Sequence, residues 1–379
     1  MTILGNTGDS DSLNPVDTAH RSAPKRRLRR LVRKQGSGTN LFIYALIIAG
    51  AIWAGLGNAS VNLIGQYCIV YGIAALGQQL LIGSAGQVAL SGAAFMCIGA
   101  FTTGMLASVG AAAFPIPILV SAAIGLIVGL VSGLPGLRFR GLYLLLSSLA
   151  LLFIVVQVAQ MYENTYHPGG LNIPLLYFLG LDLSVGRALY VALLVILFIV
   201  YAIVAWLDRT GVGLVWHTIR ESEIAAAIAG VNVVRWKLYA FAASGAITSV
   251  AGSLFAYVVG FADAGAFDLT LSITLLTMVF IGGVSSRSGA LLGAAVITVL
   301  PTLLASTMPG LLSKVGLASG WYATNRSEVD AGLFSLLFLI VVLFEPSGLE
   351  GLMRSGERRI RNLVSSKKNR ADLEVGGQS

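Results

Sequence analysis

No Asp, Glu, Lys, Arg or His lies in the interior of the long apolar runs of this 379-residue chain. The 25 basic and 17 acidic residues sit near the two ends, between the runs or at their edges. Carriers that move protons through a bilayer use intramembrane Asp, Glu or His, so a proton relay through these runs is excluded. The three histidines, His20, His167 and His217, are scattered, which argues against a metal site. Only two cysteines occur, Cys68 and Cys97, both inside apolar runs. A disulfide framework is excluded, and both are read as small packing residues. No glycine is followed by lysine, so the phosphate-cradling loop G-x-x-x-x-G-K-[ST] is absent. If ATP drives this protein, it binds a partner. Sodium coupling through carbonyls and hydroxyls stays open.

What is present is apolar and arranged in blocks. The apolar fraction is 56% and the charged fraction 11%, against about 45–50% and about 25% in a soluble domain. Ten runs stand out, at 41–57, 61–82, 87–108, 115–137, 141–161, 188–207, 238–260, 268–283, 289–307 and 331–345. A crossing needs roughly 20 residues, so the eighth and tenth are short and suit re-entrant segments. The fold class expected is all-α: a polytopic integral membrane helix bundle of eight to ten transmembrane helices, with room for re-entrant or broken ones. The division is a basic disordered cytoplasmic tail over 1–40, a transmembrane domain over 41–345, and a basic cytoplasmic tail over 346–379. Leu41–Gly57 after a basic stretch has the look of a signal peptide, but the later runs favour an uncleaved first helix.

Charge placement sets the orientation. With the basic N-terminal tail inside and the chain alternating, the inside loops hold Arg138, Arg140, Arg209, Arg220, Arg235, Lys237 and Arg287. The outside loops hold Arg187, Lys314 and Arg326. This satisfies the positive-inside rule and puts both termini in the cytoplasm of a cell with a multi-pass inner membrane. Nucleic-acid binding is the rival reading of the two basic tails. Because both flank apolar runs, they are read as resting on anionic lipid headgroups, with no nucleic-acid partner.

Polar, uncharged residues inside the runs face the bundle interior, because a Gln amide in lipid costs free energy unless paired. Gln78, Gln79 and Gln157 are the stronger candidates for a permeation path. Ser91, Thr102, Thr103, Ser244, Thr248, Ser253, Thr274 and Thr277 default to helix–helix contacts or bonds to their own backbone. Gly125, Gly129 and Gly133 repeat every four residues, a ladder that lets two helices approach closely.

One polar segment, Asp208–Lys237, interrupts the runs like a handle. Within it Ile224, Ala227, Ile228 and Val231 fall at i, i+3, i+4 and i+7, an apolar stripe on a helix that Gly230 can end in a left-handed cap. Arg220, Glu221 and Glu223 offer charged contacts beside it. Such a short amphipathic helix can insert into a groove on a cytosolic protein, or lie flat on the membrane surface.

The residues Arg220-Glu221-Ser222-Glu223-Ile224-Ala225-Ala226 and Gly230-Val231-Asn232 resemble the cytoplasmic E-A-A…G loop of ABC importer permeases. Leu137–Tyr143, Trp236–Phe241 with Ala251-Gly252, and Met278–Gly283 followed by Gly289–Ala294 resemble, in order, the branched-chain amino acid permease family in its M-type subunit. The resemblance spans about 60–345. It implies a coupling helix docking an ATPase through Arg220, Glu221, Glu223, Ala225, Ala226 and Gly230. It also implies an H-type permease partner, two cytoplasmic ATPase subunits and an extracytoplasmic solute-binding protein. No cofactor is expected on this chain; ATP and Mg belong to the ATPase subunits. The segment Gly83–Phe95 is similar to the family's G-x-x-G-Q-x-S-L-G-H-A-A-F, but has Ala89, Ser91 and Gly92 where the family has Ser, Gly and His. The periplasmic segment His167–Leu171 is a partial match.

Three glycines in Gly83–Gly92 favour a broken helix, and broken spans can aim a helix N-terminus at a carboxylate. Ile281–Ala295 is a second glycine-interrupted segment with similar ends. The two are expected to flank the path, with Gln78, Ser84, Gly86, Gln87, Ser91, Gln157, Gly282 and Gly283 as its contacts. The expected function is the permease subunit of an ABC importer for a small neutral or zwitterionic solute, a branched-chain or other neutral amino acid. It is a transport subunit and not itself an enzyme. A urea or short-chain amide permease is the alternative within the family. A sodium-coupled secondary transporter is the alternative outside it.

Overall fold

The computed structural model describes residues 59–110, 115–134, 142–173, 177–178, 181–182 and 187–314, together with Gly332. The first and tenth expected runs, both tails and the basic turn at 137–141 lie outside these residues, apart from Gly332. The described chain is helical nearly throughout. Helix α1, Ala59–Gln79, continues through a π-helical turn, Leu80–Ser84; α2 is Gly92–Ser108, α3 Ile116–Gly133, α4 Leu142–Tyr166 and α5 Arg187–Arg209. The handle forms α6, Gly211–Glu221, and α7, Glu223–Ile228; then come α8, Val233–Val259, α9, Leu269–Gly282, and α10, Arg287–Lys314. Four two-residue strands pair as β1, Leu171–Asn172, with β4, Phe261–Ala262, and β2, Tyr177–Phe178, with β3, Leu181–Asp182, both antiparallel.

Eight of the ten expected runs are therefore helices. Among the described residues five helices are long and apolar enough to cross a membrane: Val61–Ser84, Ile116–Gly133, Tyr143–Tyr166, Arg187–Arg209 and Val233–Val259. Gly92–Ser108 and Leu269–Gly282 are apolar but shorter, and α10 is apolar over Arg287–Thr302. In lipid every backbone group must find its partner within the chain, and uninterrupted helices do this. The boundaries move where polar residues intervene. Helix α8 starts five residues before the apolar run at 238, because the Asn232 side chain accepts a hydrogen bond from Arg235 N at 3.2 Å and caps it. Helix α2 starts five residues after the run at 87, because Ala85–Ser91 is not helical.

Helix α8 is the hub, packed on α1, α2 and α3. Its contacts are made by small residues, as close approach in a membrane requires. A Cβ added at Gly125 would strike Ser249 and Gly245, one at Gly129 Phe241 and Ala242, and one at Gly133 Leu238. The four-residue glycine ladder thus lies along α8. Gly99 of α2 meets the Ser249 backbone, and Gly252 of α8 meets the Met96 backbone. Hydroxyls fasten the same seams: Thr103 Oγ1 and Ser253 Oγ are 2.7 Å apart, and Ser249 Oγ donates to Phe95 O at 2.9 Å. Thr102 and Thr274 instead bond carbonyls one turn back in their own helices. Overpacking a tight seam costs about 1–3 kcal/mol or more. Gly129→Leu is therefore expected to lower the thermal midpoint of the purified protein and its membrane abundance. Leu126→Ala, on an exposed position of the same helix, leaves both near wild type.

The contacts separate two ends. At one, Glu163 Oε2 accepts from Ala264 N at 2.9 Å, beside the β1–β4 pair. At the other, the turns at 83–86 and 283–287 meet the handle. This is the grouping that alternating spans require.

Candidate functional site

The handle is built to hold a short helix outward. Trp216 of α6 is buried, and its Nε1 donates to Trp236 O at 2.9 Å, fixing α6 to the start of α8. Gly213 lies against the Asp208 backbone, so α6 folds back closely under α5. Ser222 caps α7 by accepting from Ala225 N at 3.2 Å. Gly230 ends it with φ +83°, while Gly230 N donates to Ala227 O and Val231 N to Ala226 O, both at 3.0 Å. These are the two bonds of a left-handed helix stop. Ala226 is buried underneath, whereas Ile224 is 70% and Ile228 83% exposed. Ala227 is exposed with them, and Val231 is half-buried. The apolar stripe therefore faces away from the protein.

A Cβ at Gly230 would meet nothing within 4 Å. Backbone conformation, not space, demands glycine there. Gly230→Asn is expected to keep function, and Gly230→Val to lose about 1–2 kcal/mol locally. Protease resistance of the loop at 222–232 reads the difference.

The charged residues of the handle divide. Glu221 is exposed. Glu223, expected to offer an outward contact, pairs with the buried ammonium of Lys237 at 2.6 Å. Arg220 also turns inward. Its guanidinium donates to Gly83 O and reaches Ser285 Oγ at 3.4 Å, and its stem lies on Gly86. Gly86 has φ +69°, and a Cβ there would press on the arginine. Next to Gly83, Ser84 Oγ donates to Asp208 Oδ1 at 2.8 Å, and Arg287 stands 3.5 Å from Asp208 Oδ2. Arg220 and Asp208 together tie the handle to the turn after α1 and to the turn between α9 and α10. Those are the two glycine-interrupted segments.

The expected path residues separate into groups. Ser84, Gly86 and Gln87 belong to the turn beneath the handle, where Gln87 Nε2 lies 3.5 Å from Ala85 O. Gly282 packs on the Gly289 backbone and Gly283 has φ +110°, so both shape the α9–α10 turn. Gln78 and Ser91 lie deeper and are buried, as are Gln79, Ser244 and Thr248. Gln157 stands apart on an exposed face of α4, in a groove of about 580 Å³ shared with Gln160, Phe267, Asp268 and Leu269. Asp208, Arg287, Ser285 and Ser272 were not singled out from sequence. Asp208 and Arg287 carried a readable signal: opposite charges at the edges of two runs assigned to the same side.

A family model described as branched-chain amino acid transport system / permease component matches residues 60–343. The chain belongs to that permease family. Two curated relatives are the high-affinity branched-chain amino acid transport system permease proteins LivM of Salmonella typhimurium and of Escherichia coli K12. Each is 29% identical over 293 residues, covering 70% of this chain and 68% of the relative. No solved structure matches. The membership expected from sequence holds, and with it the reading as a polytopic membrane permease subunit of an ABC importer. In this permease the departure at Gly92 has a structural counterpart. A Cβ there would stand 2.7 Å from Gln78 Nε2. The Gln78 amide occupies the space that a side chain at 92 would need.

Proposed function

We propose that this permease moves a branched-chain or other small neutral amino acid inward, powered by ATPase chains that dock on α7. The observation that carries the reading is the outward apolar face of α7, Ile224 and Ile228, on a handle tied by Arg220 to the turn after α1. An amphipathic helix presented this way suits insertion into a groove on a cytosolic partner. The tie lets a displacement of α7 reach the spans as a rigid-body motion. The assembly envisaged has an H-type permease subunit, two ATPases carrying ATP and Mg, and an extracytoplasmic solute-binding protein. Both termini are cytoplasmic in this arrangement, with the basic tails on the lipid surface. Bundle-facing polar residues without charge suit a solute of no net charge, since desolvating a net charge requires a compensating partner.

Uptake in a deletion strain tests the solute class. Radiolabelled leucine accumulation is expected to disappear on deletion. In the parent it is competed by isoleucine, valine and other neutral amino acids, and not by urea or acetamide. Competition by urea with none by amino acids would transfer the assignment to the amide class.

A further inference from the structure

Helix α2 begins inside the bundle, not at its face, and it meets the start of α9 there. Helix α2 starts at Gly92, against the Gln78 amide and the Leu275 side chain. Gln78 lies six residues before Ser84, the end of the first helical run. At 1.5 Å per residue, roughly 9 Å of helix lies between that end and the level of α2's first turn. Helix α9 begins at Leu269, and Ser272 in its first turn accepts from Ala93 N at 3.0 Å. The two N-terminal turns therefore meet. From there α2 runs toward the β1–β4 end, where Gly104 packs on Leu171, and α9 runs toward the handle end.

Polar atoms at this junction have no partner among the described residues. Ser91, the residue before α2, is fully buried with its Oγ unpaired, and its side chain does not cap the helix. Gln78 is 1% exposed, and neither its Nε2 nor its Oε1 is paired. Its amide is aimed at the first residue of α2. Ser244 and Thr248 on α8, beside Gly77, also carry unpaired hydroxyls. A buried polar group left unpaired is costly, so packing alone does not account for this set.

The chemistry is specific. The first-turn N–H groups of a helix have no intrahelical carbonyl and carry partial positive charge. Ser272 satisfies Ala93 alone of these, and no acidic residue offsets the first turn of α2. Donors for a carboxylate are thus the α2 amides and Gln78 Nε2. Acceptors for an ammonium are Gln78 Oε1 and the hydroxyls. A zwitterion uses both sets. An uncharged amide gains little from the helix end, and a cation is opposed by it.

We infer that the junction of α2 and α9, formed by Gln78, Ser91 and Ser272, is the occluded solute site, with the N-terminus of α2 receiving the carboxylate of a zwitterionic amino acid. All three side chains are buried, so a solute reaches them only when the bundle opens. This rests on the amino acid permease reading above.

The test uses the full transporter in proteoliposomes, with its ATPase and binding-protein partners and L-leucine as the probe. Gln78→Leu is expected to cut the maximal uptake rate per complex about tenfold or more, because binding retained only past delivery is lost. The concentration of leucine-loaded binding protein giving half the maximal rate should not change, since docking is untouched. Ser91→Ala adds no volume and should cut the rate about threefold, the loss of one hydrogen bond. Thr165→Ala, at an exposed site on α4, is the control that keeps the wild-type rate. Wild-type maximal rates in both site variants overturn the site. If Gln78→Leu does not assemble, Ser91→Ala decides alone. A wild-type complex that accumulates urea but no leucine overturns the amino acid reading, and the site's ligand with it.

Discussion

Ile224→Glu with Ile228→Glu is expected to abolish transport while the permease itself folds normally. Both side chains are exposed in the isolated chain, so little native packing is lost. In a docked complex each would be buried, and burying an isoleucine contributes about 1.5–3 kcal/mol. Losing two removes about 3–6 kcal/mol, or about two to four orders of magnitude in affinity for the docking partner. A carboxylate driven into an apolar groove adds a desolvation penalty. Co-purification of the ATPase with tagged permease should fall to background, with membrane abundance of the permease unchanged. Retained co-purification would show that α7 lies on the lipid surface instead of in a groove.

The second large effect is expected at Arg220, and it is of a different kind. Arg220→Ala leaves the apolar face of α7 intact, so the partner should still bind. What is lost is the charge-assisted bond to Gly83 O, of a class that contributes about 1.5–3 kcal/mol, and the contact with Ser285. The turn after α1 then no longer follows the handle. Uptake is expected to drop at least about tenfold while ATP hydrolysis by the assembled transporter persists, since about 1.4 kcal/mol corresponds to each tenfold. Arg220→Lys keeps the charge without the planar fork and should recover part of the rate. Parallel loss of transport and hydrolysis would make Arg220 a docking residue, as the sequence pattern alone suggested.

That contrast shows what the sequence could and could not disclose. The apolar runs announced their helices, because a span must be long, apolar and internally hydrogen-bonded. The Gly125–Gly129–Gly133 ladder announced a close seam, though not that α8 fills it. Helix α7 was legible through its stripe, Ser222 and Gly230. The direction of Arg220 was not legible. Its partner is a carbonyl 137 residues earlier, and periodicity carries no information at that range. The same holds for Glu223, whose buried partner Lys237 sits beyond the end of the handle helix. Gln78 was marked as a path residue from polarity and Ser91 from the glycine-interrupted segment that holds it. Their convergence with Ser272 depends on α2 starting five residues late, which follows from backbone conformation at Ala85–Ser91 and not from composition. Gln157 looked equivalent to Gln78 in the sequence because depth along a span is readable and facing is not.

The account rests on a conduit without an energy source of its own, driven through α7. Its most direct test is uptake by purified permease in liposomes, with and without the ATPase, the second permease and the binding protein. Concentrative leucine uptake is predicted only when all partners and ATP are present. Uphill accumulation by this chain alone under a sodium or proton gradient would contradict it.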